Sequence, residues 1–259
     1  MDEQNIKEFY QSWRERTSQL VEGYIYDEHK RLLPTRYAFS RLKKVLEDFL
    51  VNSLEEHEKI IILPGIRGVG KTTLLMQLLR IEKFLRISDK NLLGNLPHLE
   101  ERFYLDVSKL KLVGISLNDF FNFYEKIKGF NFENLSKKYL ILLDEIHYDD
   151  NWGLFLKNLF DRTKSHKNVL LIVTGSSAIN LRMNPDLSRR VTVEEIYPMK
   201  FSEYLILKHN KYPIKYLSSD LQEIIFNSSK AEEVYSALKN KSLQIDKFFI
   251  NLPSGVERD

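Results

Sequence analysis

A glycine-rich stretch constrains this chain more than any other feature. Residues 65–72, "GIRGVGKT", match the spacing G-x-x-x-x-G-K-[ST] at every fixed position. The apolar run "KIIILP" precedes it and predicts a buried strand, and "KTTLLMQLLRIEKFL" follows with helical periodicity. The stretch could be only a glycine turn between a strand and a helix. The lysine and threonine at their fixed positions, in this context, favour a loop that binds phosphate.

The spacing of this loop has a physical reason. Glycine lets the backbone curl so that successive N–H groups point at one anion, and the following helix adds the positive end of its dipole. Lys71 can then reach the β- and γ-phosphates, and the Thr72 hydroxyl can ligate Mg²⁺. We predict that the phosphates are bound by Gly65, Ile66, Arg67, Gly68, Val69, Gly70, Lys71, Thr72 and Thr73, although the Arg67 side chain could equally point to solvent.

The rest of the chain predicts an α/β fold of the P-loop NTPase type. Further strand-like runs are "RFYLDVS", "KYLILLDEI", "NVLLIVTGSS" and the shorter "RRVTVEEIYP", and they alternate with amphipathic helical segments. This alternation is typical of a parallel sheet, here of about five strands, covered by helices on both faces. We expect a helical N-terminal extension over residues 1–33, a P-loop ATPase core over 34–200, and a small helical lid or tail over 201–259. The tail could be truncated before a further domain.

Two carboxylates follow one of the strand-like runs. The segment "YLILL" ends directly in Asp144 and Glu145. Taken alone, these acids would only cap a strand end in solvent. Beside a phosphate loop, Asp144 is predicted to hold Mg²⁺ and Glu145 to accept a proton from the water that attacks the γ-phosphate. A kinase does not need the second acid, so the pair favours hydrolysis.

Further candidates follow the last two strand-like runs. Thr174 or Ser176 could orient the attacking water, whereas a simple strand–helix turn with Ser177 as a helix cap is the alternative. Arg189 and Arg190 open the next run, and Arg190 is our candidate for an arginine finger that stabilises transition-state charge. A solvated basic pair is the alternative for both arginines.

Composition limits the environment of the protein. The 259 residues include no cysteine, which excludes a disulfide scaffold and a Cys-based zinc site and suits a reducing cytoplasm. Thirty-nine basic and 36 acidic residues leave a formal charge of +3, which is too balanced to indicate nucleic-acid binding by itself. The sequence contains no secretory or membrane-spanning pattern. We therefore expect a soluble, cytoplasmic protein without a membrane partner.

Together these stretches resemble the AAA-type ATPases of the archaeal and bacterial ATPase family 14, which are related to archaeal ATPases and signal-transducing NTPases. The resemblance covers roughly residues 34–208 and rests on "LPGIRGVGKTTLLMQLL", "FYLDVS", "YLILLDEIHYDDNWGLFLKNLFDR", "LLIVTGSSA" and "RRVTVEEIYPMKFSEYL". Positions typical of the family are matched by Trp152, Arg190, Val191, Pro198, Phe201, Glu203 and Tyr204. A glycine usually precedes the arginine, and this chain has Arg189 there. The resemblance implies ATP binding and slow hydrolysis.

The sequence leaves three functions open. The first is a Mg²⁺-dependent ATPase in which hydrolysis drives or times a conformational switch. The second is a DNA-associated ATPase resembling replication-initiation or helicase-loading proteins, with a basic surface formed by Arg31, Arg36, Arg41, Lys43 and Lys44. The third is a nucleotide-gated interaction module that docks a protein through "FFNFYEKIKGFNF" or the helical tail. ATP and ADP are the expected ligands because no N-K-x-D run for guanine is present, and oligomer formation stays open.

Overall fold

Most of the described residues belong to one parallel sheet and the helices that pack on it. The computed structural model describes residues 3–176, 185–200, 203–204, 207–208, 231–240 and 242. The chain divides into two units, residues 1–198 and 199–259. Ser177 and most of the predicted tail lie outside the described residues. No described helix is long and apolar enough to cross a membrane.

The described residues form five strands in the order β2–β3–β4–β1–β5, and all of the pairings are parallel. The strands are β1 Ile60–Pro64, β2 Leu99–Asp106, β3 Lys138–Asp144, β4 Val169–Gly175 and β5 Thr192–Val193. Every residue of β1, β3 and β4 is buried, which explains why these strands are continuous apolar runs in the sequence. The predicted parallel sheet of about five strands is therefore confirmed, although β5 is much shorter than the run that predicted it.

Helices pack against both faces of this sheet. In the first unit they are α1 Glu3–Ile25, α2 Tyr37–Leu50, α3 Lys71–Leu79, α4 Lys90–Asn95, α5 Val107–Leu112, α6 Leu117–Lys128, α7 Trp152–Arg162 and α8 Pro185–Ser188. The second unit contains α9 Ala231–Asn240. Successive residues of a strand point to opposite faces, and β2 shows this directly. Phe103 stacks on Phe120 of α6, whereas Tyr104 stacks on Trp13 of α1.

Helix α1 lies along the free edge of the sheet. Among the described strands β2 pairs only with β3, so its outer backbone groups need another partner. The indole N–H of Trp13 donates to the carbonyl oxygen of Tyr104 at 2.8 Å, and the ring of Tyr10 lies against those of Phe103 and Phe120. Helix α1 thus covers this strand edge and shares the hydrophobic core of the sheet.

Candidate functional site

The predicted site residues meet at the carboxyl-terminal edge of the sheet. Strand β4 lies between β1 and β3, and Thr174 of β4 is in register with Leu63, two residues before Gly65. Asp144 ends β3 on the other side of β4. The topology therefore places Thr174 between the loop and the carboxylates of Asp144 and Glu145.

The glycines of the loop serve two purposes. Gly68 and Gly70 have φ angles of 86° and 87°, in the left-handed region that side chains disfavour. Gly65 instead permits a close approach, because a Cβ atom there would lie 2.6 Å from the carbonyl oxygen of Ile196. The backbone N–H of Ile196 in turn donates to the Pro64 carbonyl at 2.7 Å. The segment after β5 therefore packs directly against the start of the loop.

Lys71 folds back over this loop. Its Nζ atom donates to the carbonyl oxygens of Gly65 at 2.8 Å and Ile66 at 3.2 Å, and the residue is buried. The same atom lies 4.0 Å from Oε1 of Glu145. The side chain of Arg67 is exposed. Of the two cations in the loop, Lys71 thus faces inward, toward Glu145, and Arg67 faces outward.

Three hydroxyl groups contact the carboxylate of Asp144. Thr72 donates to Oδ2 at 2.6 Å, Tyr104 donates to the same oxygen at 3.1 Å, and Thr174 donates to Oδ1. Burial, with a further contribution from the negative charge of Asp144, raises the pKa of Tyr104 far above its ordinary value. Its hydroxyl therefore stays protonated and donates. The adjacent Thr72 hydroxyl and Asp144 carboxylate offer the hard oxygen donors that Mg²⁺ prefers, so the residues fit this ion.

Glu145 is placed differently from its neighbour. Its backbone has a φ of 53°, which is uncommon for a residue with a side chain, and its N–H donates to Oγ1 of Thr174 at 3.0 Å. The side chain is 33% exposed, whereas Asp144 is only 3% exposed. Oε2 of Glu145 lies 3.3 Å from Nδ1 of His147. Water can therefore reach Glu145 but is largely kept from Asp144.

Arg190 is not brought to the phosphate loop of its own chain. Its Nε lies 3.2 Å from Oδ1 of Asp161, and its guanidinium lies 5.9 Å from the ring centroid of Phe160. Both partners belong to the end of α7, and Arg190 precedes β5, so all of them lie toward the amino-terminal edge of the sheet. The expectation of an arginine finger therefore has no support within one chain. Arg189 is exposed beside it.

Residues that the sequence analysis did not assign to the phosphate site complete it. Tyr104 contacts Asp144, and His147 contacts Glu145. Arg36 donates from its guanidinium to the carbonyl of Val69 at 2.6 Å and to that of Tyr197 at 3.0 Å. It thereby joins the phosphate loop to the segment that follows β5. Only the "FYLDVS" run offered a signal for Tyr104, and it did not indicate a role.

The other basic residues near α2 are engaged with acids. The pairs are Arg31–Asp27 at 2.8 Å, Arg41–Glu194 at 2.8 Å, Lys43–Asp89 at 2.8 Å and Lys44–Asp48 at 2.9 Å. The candidate docking segment is also largely internal, because Phe120, Phe121, Phe123, Tyr124 and Phe132 are buried. Most of the docking segment is therefore internal, whereas the ion-paired side chains of Arg31, Arg41 and Lys44 remain 73%, 61% and 64% exposed.

The chain matches one protein family and has relatives among known proteins. Residues 57–205, more than half of the chain, match the model of the AAA_14 family, described as an AAA domain. The chain is 37% identical over 230 residues to the uncharacterized protein MJ1637 of Methanocaldococcus jannaschii, covering 86% of this chain and 44% of that protein. It is 26% identical over 171 residues to MJ1544 of the same organism, covering 64% of this chain and 33% of that protein. The chain thus spans less than half the length of these relatives.

Two solved structures are also similar. One is C. elegans PCH-2, at 17% identity and a TM-score of 0.42, covering 73% of this chain and 46% of that chain. The other is domain III of the Thermotoga maritima replication initiation protein DnaA, at 14% identity and a TM-score of 0.39, covering 85% and 89%. These similarities are too distant to indicate an activity.

Proposed function

Because this chain belongs to the AAA_14 family of AAA domains, we propose that it binds ATP with Mg²⁺, hydrolyses it, and couples the nucleotide state to a conformational switch. The observation that supports this most is the meeting of Lys71, Thr72, Asp144 and Glu145 at one edge of the sheet. A cation, two oxygen donors for a metal ion and a second acid are the groups that phosphate hydrolysis requires.

Binding would use the loop backbone and Lys71. The first N–H groups of an α-helix have no partner within the helix, so those of α3 can face an anion. The Nζ of Lys71 can exchange the carbonyls of Gly65 and Ile66 for phosphate oxygens. Thr72 and Asp144 would hold Mg²⁺, which supplies charge neutralisation at the phosphates when bound. Phosphate would thus replace carbonyl partners of a lysine that already lies at the loop.

Hydrolysis would depend on Glu145. Water attacks the γ-phosphorus, the bond from that phosphorus to the β–γ bridging oxygen breaks, ADP leaves, and the proton of the water passes to the Glu145 carboxylate. The exposure of Glu145 supports this role, because solvent water can reach its oxygens. The Thr174 hydroxyl is fully buried between Asp144 and the Glu145 backbone, so we assign it to the placement of both acids.

Arg36 supports the coupling to a switch. Its guanidinium holds Val69 of the loop and Tyr197 together, and Tyr197 lies two residues before the second unit begins at residue 199. A change in the loop on phosphate binding or release would move the carbonyl oxygen of Val69. The same guanidinium would then carry that change to the segment that leads into the second unit.

The test is the variant Glu145→Gln, with Asp161→Asn as a matched control. Glu145→Gln keeps the shape of the side chain but cannot accept the proton, so we expect ATP affinity within about twofold of the unmodified protein and phosphate release slowed roughly 10²- to 10⁴-fold. Asp161→Asn removes a carboxylate distant from the loop and should change neither. Unchanged phosphate release in Glu145→Gln would refute the proposed base.

The same assay separates the nucleotide-gated module from the ATPase. ATP bound by the unmodified protein without any release of phosphate would support the module and contradict hydrolysis. A DNA-associated role predicts DNA affinity that falls steeply with salt, because binding phosphates releases counterions. The ion pairs that engage four of the five candidate basic residues give that role no separate support.

A further inference from the structure

We propose that Tyr104 is a positioning residue for Asp144, and that helix α1 belongs to the magnesium–nucleotide site through Trp13. The inference rests on the proposed function, because it concerns the carboxylate assigned to Mg²⁺. It assigns a role to an aromatic residue of β2 and to a helix that lies outside the matched family region of residues 57–205.

The first step is the contact between Tyr104 and Asp144. The phenol hydroxyl donates to Oδ2 at 3.1 Å, and both residues are buried, so bulk water cannot readily replace this donor. The other carboxylate oxygen, Oδ1, accepts a hydrogen bond from the Thr174 hydroxyl. A carboxylate held through both of its oxygens cannot rotate freely. Partners of this kind fix the orientation of a metal-binding group and commonly contribute tenfold or more to metal affinity.

The second step is the support of Tyr104 itself. The ring of Trp13 stacks on that of Tyr104, with centroids 6.1 Å apart and planes inclined by 24°. The indole N–H of Trp13 also donates to the Tyr104 carbonyl at 2.8 Å. Trp13 is buried within the core that α1 shares with the sheet. Helix α1 thus holds both the ring and the backbone of the residue that contacts Asp144, and a single side chain separates the helix from the carboxylate.

A matched control exists on the other face of β2. Tyr124 is also fully buried, and its hydroxyl donates to Oε2 of Glu101 at 2.9 Å. Tyr124→Phe removes the same kind of hydrogen bond as Tyr104→Phe, from a buried tyrosine to a carboxylate, without touching Asp144. If the Tyr104 contact were only structural, the two variants would behave alike.

The experiment is a Mg²⁺ titration of ADP binding, followed by calorimetry on the full chain. For Tyr104→Phe we expect ADP affinity without Mg²⁺ to stay within about twofold, and the Mg²⁺ concentration that half-maximally strengthens ADP binding to rise roughly tenfold. Tyr124→Phe should keep the original Mg²⁺ requirement, whatever its thermal stability. Trp13→Phe, which retains the Tyr104 hydroxyl but loses the indole N–H, should shift the requirement in the same direction by less.

Trp13 also provides a readout independent of activity. The chain has two tryptophans, so Trp152→Phe leaves Trp13 as the single emitter. Adding Mg²⁺ to the ADP-saturated Trp152→Phe protein should change its fluorescence, and adding Tyr104→Phe to that background should abolish the Mg²⁺-dependent change. Calorimetry with both tryptophans present gives the same comparison without the Trp152 substitution.

The outcomes distinguish this inference from the proposed function. A Mg²⁺ requirement that is unchanged in Tyr104→Phe, or shifted equally in Tyr104→Phe and Tyr124→Phe, overturns the positioning role and leaves the ATPase proposal intact. An unmodified protein whose ADP binding does not respond to Mg²⁺ overturns the positioning role, whereas the ATPase proposal is decided by phosphate release from ATP, because the metal bridges β- and γ-oxygens during hydrolysis.

Discussion

Three buried lysines lie at opposite edges of the sheet, and the Nζ of each donates to backbone carbonyl oxygens. Two of them, Lys59 and Lys138, lie at the amino-terminal edge, and Lys71 lies at the carboxyl-terminal edge. Lys59 reaches the carbonyl of Thr163 at 3.0 Å, just after α7, and Lys138 reaches that of Phe49 at 2.7 Å, in the last turn of α2. Both cations thus satisfy the negative ends of helices. Lys71 satisfies carbonyls of a glycine-rich loop.

The surroundings of the two kinds of lysine differ. The Nζ atoms of Lys59 and Lys138 lie 4.3 Å from the ring centroids of Phe160 and Phe49, and burial lowers the pKa of both lysines. A nearby carboxylate does not distinguish them, because Nζ of Lys59 lies 3.6 Å from Oε1 of Glu56 and Nζ of Lys71 lies 4.0 Å from Oε1 of Glu145. The difference lies in the carbonyl partners. Helix ends and rings are fixed parts of the core, whereas loop carbonyls can be exchanged for phosphate oxygens. A buried lysine therefore indicates a site only where its partners can be replaced.

The substitution Lys71→Ala should have the largest effect on function. We expect nucleotide affinity to fall roughly 100-fold or more, because the inward-facing cation of the loop is lost. The free energy of unfolding should change much less than nucleotide binding does. Fluorescent-nucleotide binding and urea unfolding measure the two quantities. Retained affinity in Lys71→Ala would break the distinction between the two edges.

The substitution Lys59→Ala should show the opposite pattern. It removes the shorter of two hydrogen bonds to the Thr163 carbonyl, which keeps the one from the His166 N–H at 3.3 Å, and it uncovers the Phe160 ring. We therefore expect the free energy of unfolding to fall by about 1–3 kcal/mol. Nucleotide affinity, measured under conditions where the variant is folded, should stay within about twofold. A loss of affinity comparable to that of Lys71→Ala would show that the amino-terminal edge also contributes to the site.

The sequence predicted those site residues that local chemistry defines. Glycines at fixed spacing indicate a loop, and an acid after an apolar run indicates the end of a strand, so Lys71, Thr72, Asp144, Glu145 and Thr174 were all named and lie together. Tyr104 and Arg36 depend on which strands become neighbours and on how the segment after β5 packs against the loop. A local pattern does not contain that information.

Arg190 shows how strand order decides where a residue lies. The run "RRVTVEEIYP" predicts a strand, of which Thr192–Val193 form β5, and Thr192 is in register with Ile61. In a parallel sheet, residues that precede a strand lie at the amino-terminal edge, opposite the phosphate loop that follows β1. The order of arginine and strand therefore already opposed the role of a finger within one chain. The side chain instead pairs with Asp161 beneath the ring of Phe160.

The smallest expected effects come from two glycine substitutions, one in the phosphate loop and one in α1. Gly65→Ala would place a Cβ atom 2.6 Å from the Ile196 carbonyl, so the segment after β5 must move and the carbonyl that Lys71 holds moves with it. We expect about tenfold weaker nucleotide binding, equivalent to about 1.4 kcal/mol.

Gly23→Ala in α1 has open space around its new Cβ and should instead raise the free energy of unfolding by roughly 0.5–1 kcal/mol without affecting nucleotide binding. Equal nucleotide affinities in the two variants would show that the close approach at Gly65 has no part in shaping the loop.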